Sequence, residues 1–347
     1  MMSFDVFHDA TPVPFTASLI KTLRFYKMHG LGNDFVMVDA MQLPHNTQAS
    51  LRHPESMAVL SRAVCHRHFG IGADGCILVS QLSDELYPFY LYHNQDGTPG
   101  GMCGNGIRCF AHYVMEAGYL KEAKAHHPYT WCCQTPVGEK RLSHLEGDMS
   151  PMIQVNMGVP VLEPSLIPFN PESAGTQACT SLAKNAYDIT LTAPQVIGHS
   201  EAFTLRIQCV SMGNPHGILW YHLLPETLQS SWDTLVTTLG PLLEVHPSFP
   251  QKANISFARY HDEHTVSLAV WERGCGPTLA CGTGACATVV SGMLQGVLKD
   301  DVHVRLPGGS LHIQWHPLNA APVIMTGTAT MVGEVIPHTS FIDQFLY

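Results

Sequence analysis

The chain has 347 residues, of which 45% are hydrophobic and only 13% are charged. This composition fits two domains that each bury a core, and it argues against disorder. The formal net charge of −10 argues against a nucleic-acid groove and against a polybasic membrane surface. No apolar run approaches the about 20 residues of a membrane span, and the first 15 residues lack the basic and apolar regions of a secretory signal.

The eleven cysteines are scattered and odd in number, which is not the pattern of a disulfide framework. We therefore expect free thiols in a reducing compartment and a cytoplasmic location. The 21 histidines have no functional interpretation at this level. Cys65, His66 and His68 stand close together, as do His126 and His127, but neither group has a second pair at ligand spacing, so no metal site is expected.

Residues 1–23 show no clear periodicity and are expected to form an N-terminal extension. A helix is predicted from about Ser50 to His66, because apolar residues recur there at helical spacing. The stretches 121–150 and 161–200 are rich in polar residues, proline and serine, so loops and irregular strands are expected. Alternating or short apolar runs predict strands in the first half at 34–39, 76–79, 89–93 and 153–155.

In the second half, a helix is predicted over Ser231–Leu239, ending at Gly240 and Pro241. Two segments that flank a Pro-Gly-Gly-Ser turn predict a β-hairpin over 302–315. Strands are further predicted at 203–210, 217–221 and 265–270.

An internal repeat is the most informative feature of the sequence. Cys103-Gly-Asn-Gly opens a segment that closes at Gly118, and Cys281-Gly-Thr-Gly opens one that closes at Gly296, 15 residues on in both cases. A Gly-Asn pair precedes each cysteine. Asn33 lies 70 residues before Cys103, and Asn214 lies 67 residues before Cys281. We infer two related halves, each with a Cys-Gly-x-Gly element at the start of an apolar helix; chance similarity of glycine-rich turns is the alternative.

These elements suggest a chemistry. A helix N-terminus presents unpaired N–H groups and a partial positive charge, so it can hold a carboxylate or phosphate, and it favours the thiolate form of a cysteine. Two such elements could place one sulfur on each face of an α-carbon. One thiolate would then remove a proton while the other thiol returned one to the opposite face, which inverts the stereocentre without a cofactor. The remaining cysteines are interpreted as small buried hydrophobes.

Seven blocks in order match one family over about residues 24–335, and the chain resembles diaminopimelate epimerases. The blocks are KMHGLGNDF (27–35), GIGADG (70–75), MCGNGIRC (102–109), MGNPH (212–216), ANI (253–255), ERG (272–274) and ACGTGA (280–285). The resemblance implies an α/β (α+β) fold of two similar, pseudo-symmetric domains. Each would be a curled, mostly antiparallel sheet around a central helix, with the active site in the cleft between them. The expected domains are 24–152 with 328–347, and 153–327.

The resemblance also implies epimerisation of LL-2,6-diaminopimelate to the meso form, in lysine and bacterial cell-wall precursor synthesis. Cys103 and Cys281 would be the acid/base pair, and no cofactor or metal is implied. His216 and Glu272 would tune the protonation of the cysteines. The implied substrate contacts are Gly104, Asn105, Gly282 and Thr283 at the α-carboxylate, and Asn33, Asn94, Asn214, Asn254, Glu272 and Arg273 at the distal end.

Alternatives stay open at this stage. One is a related racemase of another amino acid, such as histidine; another is a non-catalytic thiol-sensing or binding protein. The expected partner is a small amino-acid substrate rather than nucleic acid or membrane, and homodimerisation is undecided. Residues 70–75 fit the G-x-G-x-x-G pattern, but a helix precedes them and a strand follows, the reverse of a dinucleotide-binding motif, so that interpretation is rejected.

Overall fold

The computed structural model describes residues 11–82, 87–120, 128–145, 152–173, 175–178, 185–191, 202–229 and 232–344. The chain divides into two compact units, Met1–Val155 with Gly327–Tyr347, and Asn156–Thr326. In the described part of the chain, no helix is long and apolar enough to cross a bilayer.

The helices, numbered along the chain, are α1 (Ala17–Thr22), α2 (His45–Arg52), α3 (Pro54–Cys65), α4 (Gly104–Glu116), α5 (Trp232–Glu244), α6 (Gly282–Leu294) and α7 (Thr339–Gln344). The strands of the first half are β1 (Arg24–Gly30), β2 (Asn33–Asp39), β3 (Gly75–Ser80), β4 (Phe89–Asn94), β5 (Pro99–Gly100), β6 (Tyr129–Cys133), β7 (Lys140–Leu145) and β8 (Met152–Gly158). Those that follow are β9 (Thr176–Ala178), β10 (Ala186–Leu191), β11 (Phe203–Ser211), β12 (Pro215–Trp220), β13 (Asn254–Asp262), β14 (Thr265–Glu272), β15 (Gly276–Thr278), β16 (Asp301–Leu306), β17 (Gly309–Gln314), β18 (Val323–Thr328) and β19 (Thr330–Val335).

In the first unit, one sheet has the strand order β19-β1-β2-β3-β4-β5. Only β2 and β3 run parallel, and the chain between them forms α2 and α3. Helix α4 packs against strands β1 to β4 and β19, and Phe110 and Val114 on this helix are fully buried. The central helix of the first unit is therefore the one that begins after Cys103.

In the second unit, the strands run in the order β18-β17-β16-β14-β13-β12-β11-β10-β9, and β15 pairs with β14. Helix α6 packs against β11 to β14 and β17, with Val289 and Val290 fully buried. Helix α5 packs against β13 and β14. This unit also has a central helix, and that helix begins after Cys281.

The two units repeat one topology. The strand pairs β1–β2, β2–β3, β3–β4 and β4–β5 run antiparallel, parallel, antiparallel and antiparallel. The pairs β11–β12, β12–β13, β13–β14 and β14–β15 show the same succession. Each Gly-Asn pair lies at the turn between the first two strands, and each series leads into a 13-residue helix. The prediction of two similar sheet-and-helix domains is confirmed.

Some local predictions were wrong. The helix expected from Ser50 to His66 is two helices, because Pro54 cannot continue a preceding helix but is favoured in a first turn. Helix α5 runs through Gly240 and Pro241 to Glu244, where Leu243 is fully buried. Ordered structure also begins earlier than residue 23, since α1 buries Ile20.

The stretches expected to be irregular contain regular strands as well. Strands β6 and β7 pair over Tyr129–Cys133 and Lys140–Leu145, within the first of these stretches. The second contains β9 and β10, which agrees with the expectation of irregular strands. Parts of both stretches lie outside the described residues: 121–127, 146–150, 174, 179–184 and 192–200.

Candidate active site

Cys103 is the N-cap of α4 and is half-buried. Its Sγ donates to Oδ1 of Asn33 at 3.6 Å, and its backbone N–H donates to the hydroxyl of Tyr90 at 3.4 Å. Complete burial, followed by the nearby Cys103, raises the pKa of Tyr90 well above its ordinary value, so this phenol stays neutral. The sulfur is thus held at the helix start by the asparagine of the β1–β2 turn.

The first turn of α4 is suited to an anion. It contains no acidic residue, and the Cys103 side chain makes no capping hydrogen bond to it. A helix leaves its first N–H groups without intrahelical acceptors, and its N-terminus carries partial positive charge. Gly104 and Asn105 lie in this turn and are both buried. Close packing holds the turn in place, because a Cβ on Gly106 would lie 3.0 Å from the Tyr90 hydroxyl.

A chain of hydrogen bonds fixes the asparagines around Cys103. Arg108 donates from Nη2 to Oδ1 of Asn105 at 3.0 Å, so the other end of that amide must donate. Nδ2 of Asn105 accordingly donates to Oδ1 of Asn33 at 3.1 Å, and Nδ2 of Asn33 donates to Asp74 at 2.7 Å. The orientation of both amides is set by Arg108 at one end and Asp74 at the other.

Ion pairs anchor the far end of this chain. Arg67 bridges Asp34 and Asp74, with N–O distances of 2.9 and 2.5 Å. Lys27 also pairs with Asp34 at 2.6 Å. Burial alone would raise the pKa of Asp34, but hydrogen bonds and charges from Arg67 and Lys27 outweigh it and lower that pKa to about 2. Asp34 therefore stays ionised, and both carboxylates anchor this end of the chain through their ion pairs.

Cys281 is the N-cap of α6 and is 4% exposed. Its Sγ accepts from the backbone N–H of Gly284 at 3.4 Å and lies 3.5 Å from Oγ1 of Thr283. A Cβ on Gly284 would lie 3.2 Å from that sulfur, so the Cys-Gly-x-Gly spacing leaves room for it. As at Cys103, a cysteine stands at the N-cap of a helix whose first turn has no acidic residue, but here the sulfur itself caps the helix.

Polar side chains continue from Thr283 into the sheet. Nδ2 of Asn214 donates to Oγ1 of Thr283 at 3.4 Å, so Oδ1 of Asn214 is the acceptor for Nε2 of His216, 3.0 Å away. This leaves Nδ1 of His216 unprotonated, and that atom is buried without a hydrogen-bond partner among the described residues. Burial, and secondarily the charge of Arg273, lowers the pKa of His216 to about 3. His216 is therefore a neutral residue that orients Asn214.

The other predicted residues of the second unit surround the end of β14. Nδ2 of Asn254 donates to the Pro215 carbonyl at 3.1 Å, and its Oδ1 accepts from the backbone N–H of Arg273 at 3.0 Å. The exposed Arg273 guanidinium donates to the Gln251 carbonyl at 3.1 Å. Glu272 accepts from the Thr278 hydroxyl at 2.6 Å. Asn254 thus fixes the backbone from which Glu272 and Arg273 project.

Within each unit, the structure brings most of the predicted residues together. In the first unit Asn33, Cys103, Gly104 and Asn105 form one group. In the second, Asn214, His216, Cys281 and Thr283 form a hydrogen-bonded series that starts beside Gly282. Asn94 is different: its amide bonds to the Tyr92 hydroxyl and the Thr98 hydroxyl, so its predicted contact with substrate stays a prediction.

Sequence reasoning missed four supporting residues. Arg108, Asp74 and Tyr90 hold the Cys103 group as described above. Glu244, at the end of α5, accepts from the Trp271 indole at 2.7 Å and from the backbone N–H of Gly274 at 3.0 Å, which fixes the turn containing Arg273. Asp74 and Arg108 have a visible signal, because they lie in the blocks 70–75 and 102–109, and Arg108 is also a charged residue inside the apolar run Ile107–Phe110.

The fold has known counterparts. The chain superposes on a probable proline racemase from Agrobacterium radiobacter with a TM-score of 0.61, covering 91% of this chain and 93% of that chain at 14% identity. It superposes on a hydroxyproline epimerase from Agrobacterium vitis with a TM-score of 0.60, covering 90% of each chain at 14% identity. At these identities the likeness concerns the fold alone: this is the two-unit fold found in racemases and epimerases.

The sequence comparisons are more specific. The family model described as diaminopimelate epimerase matches residues 25–162 and 208–332. A diaminopimelate epimerase of Thioalkalivibrio sulfidiphilus is 41% identical over 89% of this chain and 97% of its own length. One of Halothermothrix orenii is 39% identical over 89% of this chain and 96% of its own length. The chain belongs to the diaminopimelate epimerase family.

Proposed function

We propose that the protein is an isomerase that interconverts LL-2,6-diaminopimelate and meso-2,6-diaminopimelate, the reaction after which its curated relatives are named. This activity belongs to lysine biosynthesis. The observation that carries the proposal is that the same arrangement of a cysteine at a helix start occurs twice. Cys103 and Cys281 each cap a 13-residue helix, and a side chain from the preceding Gly-Asn turn reaches each helix start.

The substrate α-carboxylate is proposed to bind at the helix starts. N–H groups of Gly104, Asn105, Gly282 and Thr283 would donate to its oxygens, as helix N-termini do to other anions. These donors also stabilise the negative charge that develops when the α-proton leaves. An α-C–H beside an ammonium group is a poor acid, so this stabilisation has to supply much of the catalysis.

The two sulfurs act as a base and an acid. In one direction, one cysteine enters as a thiolate and removes the α-proton, forming an S–H bond as the C–H bond breaks. The other cysteine enters as a thiol and delivers its proton to the opposite face of the carbon. Each sulfur leaves the cycle in the protonation state the other had, so the reverse reaction uses the same pair with the roles exchanged.

The uncharged neighbours suit this exchange. Asn33 accepts from the Cys103 sulfur, and Thr283 lies beside the Cys281 sulfur. Neither residue adds a charge that would permanently stabilise the thiol or the thiolate form of its cysteine. His216, neutral at physiological pH, acts through Asn214 and Thr283 rather than as a proton donor.

The distal end of the substrate carries a second ammonium and a second carboxylate. Arg273 can grip a carboxylate with two parallel bonds, and Glu272 can accept from an ammonium. The asparagines add donors and acceptors without changing the net charge; they are Asn33, Asn94, Asn214 and Asn254. This set favours a substrate with a carboxylate at each end.

We place this activity in the cytoplasm. The ten cysteines of the described residues are all free thiols, which fits a reducing compartment. A reduced state is also what the proposed mechanism requires, since both sulfurs must be able to exchange protons.

Deuterium exchange at the α-carbon tests the proposal. The purified full chain is incubated in D2O under reducing conditions with LL-diaminopimelate or, separately, with L-histidine, and α-deuterium is followed by mass spectrometry. We expect incorporation into diaminopimelate together with formation of the meso form. Exchange into histidine alone would identify a racemase of another amino acid, and no exchange into either would favour a non-catalytic thiol protein.

A further inference from the structure

A cluster of polar side chains lies on one face of the β16–β17 hairpin, outside the proposed active site. His303 and His312 are direct cross-strand partners, and Asp301 and Gln314 form the cross-strand pair two residues further along the hairpin. Side chains alternate between the two faces of a strand, so these four residues share a face. Their neighbours on the other face, Val302, Val304, Leu311 and Ile313, are buried in the core.

The donor atoms of this cluster already converge. Nε2 of His312 lies 2.5 Å from Oδ1 of Asp301, within hydrogen-bond distance. The ring of His303 stacks on that of His312, with centroids 4.8 Å apart and an interplanar angle of 25°. One donor atom from each of Asp301, His303 and His312 lies within 4.8 Å of the other two.

We propose that Asp301, His303 and His312 form a binding site for a divalent transition-metal ion of the zinc class. Imidazole nitrogens together with one carboxylate oxygen suit zinc and its neighbours better than magnesium or calcium, which prefer oxygen ligands throughout. The ion replaces the hydrogen bond between His312 and Asp301, and these two atoms move apart from 2.5 Å to about 3.4 Å. Three protein ligands leave a fourth tetrahedral position for water.

The geometry needs only a small adjustment. Zinc–nitrogen bonds of about 2.0–2.1 Å separate two tetrahedral ligands by about 3.4 Å, so the most distant pair of donors has to approach by a little over 1 Å. His303 is exposed and His312 is only partly buried. Rotation of exposed imidazole rings about their side-chain torsions supplies such a movement without disturbing the core.

The carboxylate is held in place by its surroundings. Nε2 of Gln314 donates to Oδ2 of Asp301 at 3.1 Å, which leaves Oδ1 directed at His312. Nδ1 of His264 lies 2.6 Å from the Asp301 carbonyl oxygen, so the backbone at this position is supported as well. Partners of this kind orient metal-binding carboxylates in known sites.

Charges of both signs lie near the three residues. Asp300 precedes Asp301 and pairs with His316, 3.1 Å apart, and Glu263 pairs with both His264 and Lys299. The whole chain is acidic, with a formal net charge of −10. The proposed metal site assigns a role to His303 and His312, which take no part in the proposed reaction.

Zinc binding to the full chain under reducing conditions tests the proposal. Isothermal titration calorimetry with ZnCl2 is compared between the wild type, His303→Gln, His312→Gln and the double variant. We expect one equivalent of zinc to bind at the hairpin, at least about tenfold more weakly in each single variant, with that equivalent lost in the double variant. The matched control is His261→Gln, an exposed histidine of the same unit on β13, which should bind zinc as the wild type does.

Histidine-ring NMR of the unaltered chain gives a second readout that does not depend on variant folding. Two imidazoles, identified by their loss in the single variants, should shift together as the first equivalent of Zn²⁺ is added. Equal binding by the wild type and the double variant would assign the metal to other sites, such as the thiols, and overturn the proposal. So would weaker binding in only one of the two single variants, because both rings are required. Neither substitution should lower epimerase activity, so failure of this site is distinguishable from failure of the proposed function.

Discussion

Arg108 and Asn105 are joined in the first turn of α4 by a 3.0 Å hydrogen bond from Nη2 to Oδ1. Arg108 has no exposed surface. It also donates from Nη1 to the Gly104 carbonyl and from Nε to the Thr328 carbonyl, both at 3.1 Å. One guanidinium thus ties the start of the Cys103 helix to a strand end far along the chain.

The first prediction concerns this guanidinium. In Arg108→Lys a single ammonium cannot reach three acceptors in different directions, so buried carbonyls or the Asn105 amide lose their partner. We expect a loss of about 2–4 kcal/mol in the free energy of unfolding and a lower kcat, because Asn105 and Asn33 lose their fixed orientation. Urea denaturation and steady-state kinetics measure the two effects.

The matched control for that substitution is Arg141→Lys, since Arg141 is exposed on β7. It should change stability by no more than about 0.5 kcal/mol. Equal stability of the two variants would show that Arg108 does not hold the helix start.

The features of this site whose residues lie close together in the chain could be predicted from the sequence. The Cys-Gly-x-Gly elements, the glycine that follows each helix and the Gly-Asn turns lie within or beside the elements they define. Helices α4 and α6 accordingly begin directly after Cys103 and Cys281 and end before Gly118 and Gly296, which both have positive φ angles.

The features that the sequence does not predict depend on tertiary contacts between residues far apart in the chain. The acceptor of Arg108 at Thr328 is 220 residues away in sequence, so no local pattern indicates it. The sequence predicts that α5 ends at Gly240, yet a Cβ there would lie 2.6 Å from the Trp271 ring. The glycine is needed for that packing and not for stopping the helix. Burial of Leu243 outweighs the propensity of Gly240-Pro241 to end it.

The second prediction tests the acid/base pair. Cys103→Ala and Cys281→Ala should each reduce epimerisation of diaminopimelate by about 10³-fold or more, because a two-base reaction loses either its proton acceptor or its proton donor. Chiral chromatography of the product measures this. The control is Cys132→Ala, a half-buried cysteine on β6, which should retain wild-type activity. Full activity in either of the first two variants would exclude a two-cysteine mechanism.

The third prediction concerns the space around the Cys281 sulfur. In Gly284→Ala the new methyl group would lie 3.2 Å from Sγ of Cys281 and 3.2 Å from Val270. The sulfur has to move by a few tenths of an ångström. Because a misplacement of about 1 Å can cost about 10²-fold, we expect kcat to fall by about 3- to 10-fold, and the stability cost of the extra methyl should be about 1–3 kcal/mol. Steady-state kinetics measures the change in kcat, and thermal unfolding measures the change in stability.

Gly333→Ala is the matched control, because nothing lies within 4 Å of a Cβ at that position. It should leave kcat and stability close to those of the wild type. Wild-type kcat in Gly284→Ala would mean that the position of the sulfur is not critical.

The fourth prediction follows from the buried His216. Its pKa is lowered to about 3 in the folded protein, by burial first and by the Arg273 charge second. In the unfolded chain a histidine titrates near about 6.5. Between these values the unfolded state binds more protons, so the stabilising contribution is present above about pH 6.5 and is lost progressively as the pH falls. From about pH 7.5 to about pH 5.5 the loss is about 1.4 kcal/mol.

His216→Gln removes that titration and can still donate to Asn214. Urea denaturation at the two pH values should therefore show a smaller loss of stability on acidification in the variant than in the wild type, by about 1.4 kcal/mol. The acid limb of the kcat/KM profile should not move, because a histidine that is neutral above about pH 3 does not titrate in the working range. An acid limb that shifts in the variant would instead assign His216 a direct part in proton transfer, and equal losses of stability would show that the histidine is solvated and not buried.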